Sequence, residues 1–414
     1  MEETKLPVTY LNGILLWINA INDSYLWIDS PDCFFFKVDI IYWNHDLNSN
    51  LKMANWEHRI FTTISDVDNV IWNRNDLFIE TLNRLVNREI VKLCFVSSMP
   101  MSQLIWVDYD WIINDVKKGI NKPIFNIPSK SMTDCWLDWY SDLLFSIAKN
   151  IEVKKWLWNK NNVAIIWNLY DRNEWDCIGN IKELKNIFKW LWLKVVSIWL
   201  EGWNYYDILN VYKAWTIISL PYWRKAAKKI AKKLGIELLH LDLPFWISNT
   251  INFIKEVWDY FNININKVDN FIYEELNIRN NIWIMKCWIY RTLFNKNISF
   301  YWDPYLLNWL IDISNTFWLN IKEVFIHWDN KHLKNNLSNN YEKNIEKMFI
   351  NLQDNINSVD LFISNKANIF NNIDNIKILE FWFPSYTYHC FSDQSFYWIR
   401  GWINFINRIY NKLS

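Results

Sequence analysis

Six cysteines and six histidines hold most of this sequence's options for nucleophilic, redox and metal chemistry. Cys33 closes the turn Ser30-Pro31-Asp32-Cys33, which leaves an apolar stretch. Metal and cluster ligation needs a thiolate, and turn amides or helix N-termini favour that form. A free cysteine is also among the residues most often buried, so this residue alone fits a core role as well as a ligand role. Cys94, Cys177 and Cys287 read as structural, Cys135 ends a polar loop, and Cys390 adjoins His389. No CxxC pair is present, which excludes a zinc ribbon and a ferredoxin-like cluster loop. His45, in Asn44-His45-Asp46, follows an apolar run and stands at a predicted βα turn, where ligands meet the carboxyl ends of parallel strands. It can donate a proton to a reduced substrate there, or its neighbours can simply cap the turn. Asp171-Arg172-Asn173-Glu174 carries the same double reading, as an anion holder or a helix cap. Arg224 and Lys225 open a helix, a place where anions can bind and where solvated cations are commoner. No GxxxxGK[ST] loop exists, so the chain is not expected to hydrolyse ATP itself.

These residues sit in a chain of 414, long enough for two or three domains. Hydrophobic residues make up 51% and charged residues 21%, an ordinary globular balance. Lys plus Arg equals Asp plus Glu, 44 each, which argues against nucleic acid as the main partner. The polar, acidic N-terminus shows no signal peptide, and no apolar run approaches the ~20 residues of a membrane helix. Few, scattered cysteines fit a reducing cytoplasm.

One feature of the composition is anomalous. There are 30 Trp and only 6 Gly, where a chain of 414 should carry roughly 29 Gly at the usual ~7%. Position sharpens the anomaly. Apolar runs end in Trp43, Trp167, Trp223, Trp246, Trp302, Trp328 and Trp382, where a βα turn should begin and glycine is favoured. Lys233-Leu234-Gly235-Ile236 reads as a helix, its C′ glycine and the next strand, and Thr316-Phe317-Trp318-Leu319 and Leu191-Trp192-Leu193 have the same grammar with Trp in the glycine slot. UGA is read as Gly in some bacterial lineages and as Trp in others, and reading it by the wrong table would give this pattern. Trp136 and Trp199 sit in no clear glycine slot and read as genuine tryptophan.

The elements that position these residues alternate. Residues 34–41, 90–97 and 123–127 read as buried strands, and 76–87 as an amphipathic helix. Strands at 162–166, 194–198, 216–220 and 237–241 alternate with helices at 180–189, 205–214 and 224–234. A longer helix is expected over 268–288 and a polar surface segment over 335–357, with strands at 298–301, 323–326, 359–363 and 377–381. Such alternation means right-handed βαβ units and parallel sheets covered on both faces. The fold class is therefore α/β, as three Rossmann-like domains over 1–155, 156–270 and 271–414.

With Trp read as Gly, four places resemble the nitrogenase component 1 type oxidoreductases. Leu11-Asn12-Gly13-Ile14 followed by Trp27-Ile28-Asp29-Ser30-Pro31-Asp32-Cys33 resembles that family's opening helix and cluster-cysteine loop. Gln103-Leu104-Ile105-Trp106-Val107-Asp108 is similar to its strand-to-helix turn, and residues 162–203 to the start of its second domain. Leu379-Glu380-Phe381-Trp382-Phe383-Pro384-Ser385 with Tyr397-Trp398-Ile399-Arg400-Gly401-Trp402 resembles its C-terminal signature, and Phe300-Tyr301-Trp302-Asp303-Pro304 agrees with its third-domain turn. The resemblance implies an iron–sulfur cluster with Cys33 as a metal ligand and a further metallocofactor that His389 can bind; Cys135 lies in a loop that can face cluster or substrate, and His45 remains the proton-donor candidate read from its turn. It also implies an ATP-dependent iron protein as electron donor and a homologous or identical second subunit. The family commonly supplies three cluster cysteines per subunit, whereas only Cys33 matches here and Pro100 stands at a second position. A divergent member without the full double cluster is implied. A non-catalytic scaffold for cofactor assembly and a cluster-free ligand-binding protein are the rival readings.

Overall fold

The computed structural model describes residues 10–52, 57–64, 74–100, 102, 106–127, 136–152, 159–166, 169–263, 270, 272–273, 289–302, 306–326, 359–365 and 377–414. The expected helix over 268–288 and the segment over 335–357 fall almost wholly outside them, as do Cys135, Trp167 and Trp328.

Three parallel sheets of four strands carry the fold. The first has β1 (Ser24–Asp29), β2 (Ile60–Thr62), β3 (Leu93–Ser98) and β4 (Ile124–Asn126), in the order β2-β1-β3-β4. The second has β5 (Asn162–Ile166), β6 (Lys194–Ile198), β7 (Thr216–Ser219) and β8 (Glu237–His240), in the order β6-β5-β7-β8. The third has β9 (Asn297–Trp302), β10 (Asn320–Ile326), β11 (Leu361–Ser364) and β12 (Lys377–Glu380), in the order β10-β9-β11-β12. The predicted α/β class is what the chain adopts, with one strand order used three times. In each sheet the chain goes to one side of its first strand and then to the other. The carboxyl ends of the first and third strands therefore form the switch point where such folds bind ligands.

The helices are α1 (Tyr10–Ala20), α2 (Phe34–Asp39), α3 (Asn75–Val86), α4 (Tyr109–Lys117), α5 (Trp136–Asn150), α6 (Trp175–Trp190), α7 (Tyr205–Leu209), α8 (Arg224–Leu234), α9 (Ile247–Phe261), α10 (Leu307–Phe317) and α11 (Trp398–Leu413). The chain forms two compact units. One joins Val8–Cys177 to Leu193–His240 and holds the first two sheets; the other contains Ile178–Trp192 and Leu241–Ser414 and holds the third. In the first unit β1 and β3 are buried at every residue, as strands covered on both faces must be. Phe78, Leu82, Leu85 and Val86 of α3 and Ile112, Ile113 and Val116 of α4 close over Tyr25, Trp27 and Val96.

Residues 34–41 are helical, not a strand. The amides of Phe34, Phe35 and Phe36 bond to the carbonyls of Pro31, Asp32 and Cys33, which starts α2 in the turn itself. α2 continues into a π-helix, Ile40–His45. A short apolar run rich in aromatics suits a buried helix as well as a strand, and here the turn decides.

Ten non-glycine residues among those described have positive φ, and six of them are Trp: Trp106, Trp192, Trp246, Trp318, Trp382 and Trp398. Trp318 at φ 52°, ψ 42° caps α10 as Gly235 at φ 67°, ψ 35° caps α8. The bonding matches as well, since Trp318 and Leu319 both donate to the Ser314 carbonyl, and Gly235 and Ile236 both donate to that of Ala231. Trp246 at φ 65°, ψ 166° occupies a region that is essentially glycine's alone. The pattern is not uniform: Trp43 lies inside the π-helix, Trp223 has φ −135°, and Trp302 ends β9. The indole N–H groups of Trp17, Trp199, Trp223, Trp382 and Trp402 are buried without an acceptor, each costing about 1–3 kcal/mol. Trp27, by contrast, packs edge-on to Phe78 and donates to Thr81 Oγ1 at 3.2 Å.

Candidate functional site

Cys33 lies at the switch point of the first sheet. β1 and β3 run side by side to the register pair Asp29–Ser98, so the loops that follow them start together. Asp29 fixes the one that carries Cys33. Its fully buried carboxylate accepts from Thr63 Oγ1 and the Tyr109 hydroxyl, both at 2.7 Å, and lies 3.5 Å from Arg74. Its carbonyl accepts from Met99 N at 2.9 Å and Ser102 Oγ at 3.1 Å, tying the two loops together. Burial and the adjacent Asp29 charge push the Tyr109 hydroxyl far above its ordinary range, so it stays a proton donor to that carboxylate. Cys33 then stands exposed with a free thiol at the N-cap of α2. Lys37 follows one turn later, its ammonium lowered by burial and raised by the Cys33 sulfur.

The second switch point, after β5 and β7, holds a buried polar enclosure. The loop following β5 brings in Asp171, Arg172, Asn173 and Glu174, and the first turn of α6 adds Asp176 and Cys177. The end of the π-helix brings His45 and Asp46 to them. Each of these except Asn173 is 6% exposed or less. His45 Nε2 lies 3.1 Å from the Asp171 carbonyl and 3.6 Å from its Oδ2, joining two segments that the sequence separates by 126 residues. Cys177 donates its S–H to Asp171 Oδ1 at 2.8 Å. Arg172 bonds Asp176 through Nε at 3.2 and 3.0 Å and pairs with Glu174 at 3.4 Å. Asp46 accepts from Asn19 Nδ2 at 2.6 Å, Asn173 N at 2.8 Å and Asn48 N at 3.0 Å. Gly202, at φ 78°, passes so close to this loop that an added Cβ would lie 2.5 Å from the Tyr170 hydroxyl.

Burial dominates the electrostatics here. It raises the Asp46 carboxyl to about 6 against the opposing Asn173, Asn19 and Asn48 bonds. It raises Asp171 further, to about 7, although Arg172 pulls the other way. Burial and the Asp171 charge push the Cys177 thiol up, so it remains S–H. His45 and Asp171, both singled out by their positions after apolar runs, are thus partners. Cys177, read as structural, is the third member of their site, and only its spacing of six residues from Asp171 hinted at it.

His389 belongs to the other unit. It is half-buried in the loop after β12, its ring 6.4 Å from that of Phe391. That loop is anchored by Glu380, which accepts from Tyr386 N, Thr387 N and Thr387 Oγ1, and by Arg408 stacked 3.5 Å over Tyr388. The amides of Phe396 and Tyr397 close it onto Asn180 Oδ1 at 2.6 and 3.2 Å.

Doubly wound parallel sheets repeated three times, with side-chain chemistry at their switch points, define a repeated Rossmann-like α/β protein. The profile of the nitrogenase component 1 type oxidoreductases matches residues 47–414, and the chain belongs to that family. Among solved structures it is similar to nitrogenase Cp1 at pH 6.5, with a TM-score of 0.74 at 14% identity over 98% of this chain and 92% of that chain. The same nitrogenase at pH 5 gives a TM-score of 0.71 at 12% identity over 99% and 89%. At such identity the likeness concerns the fold. No curated protein matches the chain.

The family implies thiolate-held clusters, which commonly need four cysteines. The described donors do not complete one on this chain. The first switch point offers Cys33 alone; Cys94 is sealed within β3, its thiol pushed up to about 12 by burial. Among the described residues no three His, Cys, Asp or Glu side chains are grouped to hold a metal ion. No helix among them is long and apolar enough to cross a membrane.

Proposed function

We propose that the chain is one subunit of a nitrogenase-like oxidoreductase, a cytoplasmic protein that accepts electrons delivered by an ATP-dependent iron protein and reduces a bound substrate. The observation that carries this reading is the exposed Cys33 thiol, set at the first switch point on a loop locked by buried Asp29. An iron–sulfur centre attached there would supply one-electron transfer. Cys33 is this chain's ligand to it. The remaining ligands come from a second subunit, homologous or identical. His45 handles protons through Asp171; the family resemblance assigns His389 to a further metallocofactor, and Cys135, outside the described residues, stays a candidate cofactor ligand.

The test is anaerobic purification of the chain with its neighbouring homologous subunit, followed by iron and sulfide analysis, with Cys33→Ser in parallel. Bound iron that falls in Cys33→Ser, with reductase-dependent turnover, is the expected result. A brown complex inert with every reductase would favour a scaffold for cofactor assembly. A colourless, iron-free complex would favour the second reading, a cluster-free ligand-binding protein, and the lone thiol among the described residues of that loop speaks for it.

A further inference from the structure

The enclosure around Asp171 holds more acid than base. The carboxyl groups of Asp46, Asp171, Glu174 and Asp176 share it with the Arg172 guanidinium and the His45 imidazole, and none of these residues is more than 6% exposed. Arg172 is committed to Asp176 and Glu174 by bonds and contacts of 3.0 to 3.4 Å. Arg172 also attracts the Asp171 carboxylate, so one guanidinium is shared among three carboxyls, and His45 is the other basic group beside Asp171. Four ionised carboxylates enclosed with one guanidinium and one imidazole would be far costlier than a retained proton.

The geometry indicates where a proton fits. Asp171 Oδ1 already accepts the Cys177 S–H, whereas Oδ2 faces His45 Nε2 at 3.6 Å. His45 Nε2–H donates to the Asp171 carbonyl, so a further proton sits on the carboxyl, held beside the ring. We propose that Asp171 and His45 form a buried proton-binding site whose occupancy sets how firmly the Cys33-bearing segment is seated. Cys33 caps α2, and α2 runs without a break through the π-helix to His45. Four contacts then fix the far end of that rod to the loop after β5. They are His45 to the Asp171 carbonyl, Asp46 to Asn173, Leu47 N to Glu174 at 3.2 Å, and Asn48 Nδ2 to the Asn173 carbonyl at 3.2 Å. The wide π turn before His45 is a rare backbone form, frequent at functional sites.

Asp171 is faced by His45 from the π-helix end, by Arg172 and Tyr170 from its own loop, by Asp176 and Cys177 from α6, and by Tyr140 from α5. With the proton in place the segment carries one negative charge fewer, and the contacts hold. When the proton leaves, Asp171 adds its charge to that of Asp176, and like-charge repulsion loosens the seat. The sign is fixed: Asp171 is raised, so the site is occupied below about pH 7 and empties above it. The consequence for Cys33 rests on the function proposed above; the proton site itself does not.

Hydrogen exchange on the isolated full-length chain tests this without iron or a partner. Between about pH 6 and about pH 8, after correction for intrinsic rates, exchange across residues 34–50 should rise about tenfold, the response to roughly one unit of proton linkage. Asp171→Asn cannot ionise and should stay protected throughout. Wild-type protection that does not change with pH, or an Asp171→Asn chain with the wild-type profile, would overturn the proposal. Should Asp171→Asn not fold, infrared spectroscopy of the wild type decides. A protonated carboxyl C=O band present at neutral pH and lost on alkalinisation is expected, and its absence would overturn the proposal. Cys33→Ser should keep both signals, so loss of iron binding there and loss of the proton site remain separate failures.

Discussion

The positive-φ tryptophans allow a stability experiment with a definite sign. Trp106, Trp192 and Trp318 have φ of 55°, 56° and 52° and are 92%, 55% and 61% exposed. Replacing them with glycine therefore removes left-handed strain while giving up little packing. A side chain in that region costs roughly 1–2 kcal/mol, of which glycine's freer unfolded chain returns about 0.5–1 kcal/mol. The net gain is about 0.5–1 kcal/mol per site, or about 1.5–3 kcal/mol for the three. Trp106 falls in one compact unit and Trp192 and Trp318 in the other, so two urea transitions should rise, the second about twice as much. Trp258→Gly is the control. That residue lies within the right-handed interior of α9, and glycine there should lose at least about 0.5–1 kcal/mol. Peptide mass spectrometry of the protein from its native cells should read glycine at 106, 192 and 318. If the triple variant is no more stable than the parent, or Trp258→Gly stabilises equally, the glycine reading fails; UGG codons at these positions would end it outright.

Four further outcomes are expected. Asp46 is raised from 3.8 to about 6 by burial, so the folded chain holds a proton that the unfolded chain has lost. Its contribution is therefore present at low pH and falls as pH climbs from about 4 through about 6, by about 3 kcal/mol. The stability difference between wild type and Asp46→Asn, measured by urea titration at several pH values, should show that slope, and a rising difference would contradict it. Tyr109→Phe leaves Asp29 short of a donor, should cost about 1–3 kcal/mol, and should speed maleimide labelling of Cys33; unchanged labelling would detach the anchor from the thiol. Asn180→Ala orphans the Phe396 amide, about 1–3 kcal/mol, while Tyr397 N keeps Ser395 Oγ at 2.9 Å, and should open the 385–397 loop to limited proteolysis. Cys33→Ser should leave the urea midpoint within about 0.5 kcal/mol of wild type, because the side chain is exposed.

Periodicity and turn grammar carried most of the sheets. Strands at 162–166 and 194–198 and the helix at 224–234 were legible to the residue, because an apolar run between turn signals has few alternatives when the next run repeats it. Residues 34–41 were misread since Val38, Ile40 and Ile41 beside three phenylalanines look like a strand, and only the Phe34–Phe36 amides donating to the carbonyls of Pro31–Cys33 reveal the helix. The site was half legible. The family resemblance of the loop after β1 picked out Cys33, and turn grammar picked out His45 and the Asp171 segment. It could not tell that His45 is fully buried, because burial depends on Asp171 arriving from 126 residues away. Beyond its spacing from Asp171, Cys177 gave no sign for the same reason: in the first turn of α6 it looks like any core thiol until the Asp171 carboxyl is placed at 2.8 Å.

The two switch points differ in what they cost the fold. Cys33 is exposed, so its loop needs only the Asp29 anchor and gives up little if the thiol is exchanged. The enclosure is the opposite case. Four buried carboxyls around one guanidinium destabilise the native state, and an apolar or amide replacement of similar volume at Asp171 would often be neutral or stabilising. Packing alone therefore does not account for that acid, since the His45 ring and the Cys177 thiol beside it would fill the same space against an amide. A sequence that keeps a costly acid against an imidazole, at the carboxyl end of a parallel strand, breaks local consistency in the manner of functional sites. The sign of one substitution decides between the two roles: if Asp171→Asn lowers stability at pH values above about 8, where the wild-type carboxylate is ionised, the acid is holding the loop together rather than straining it.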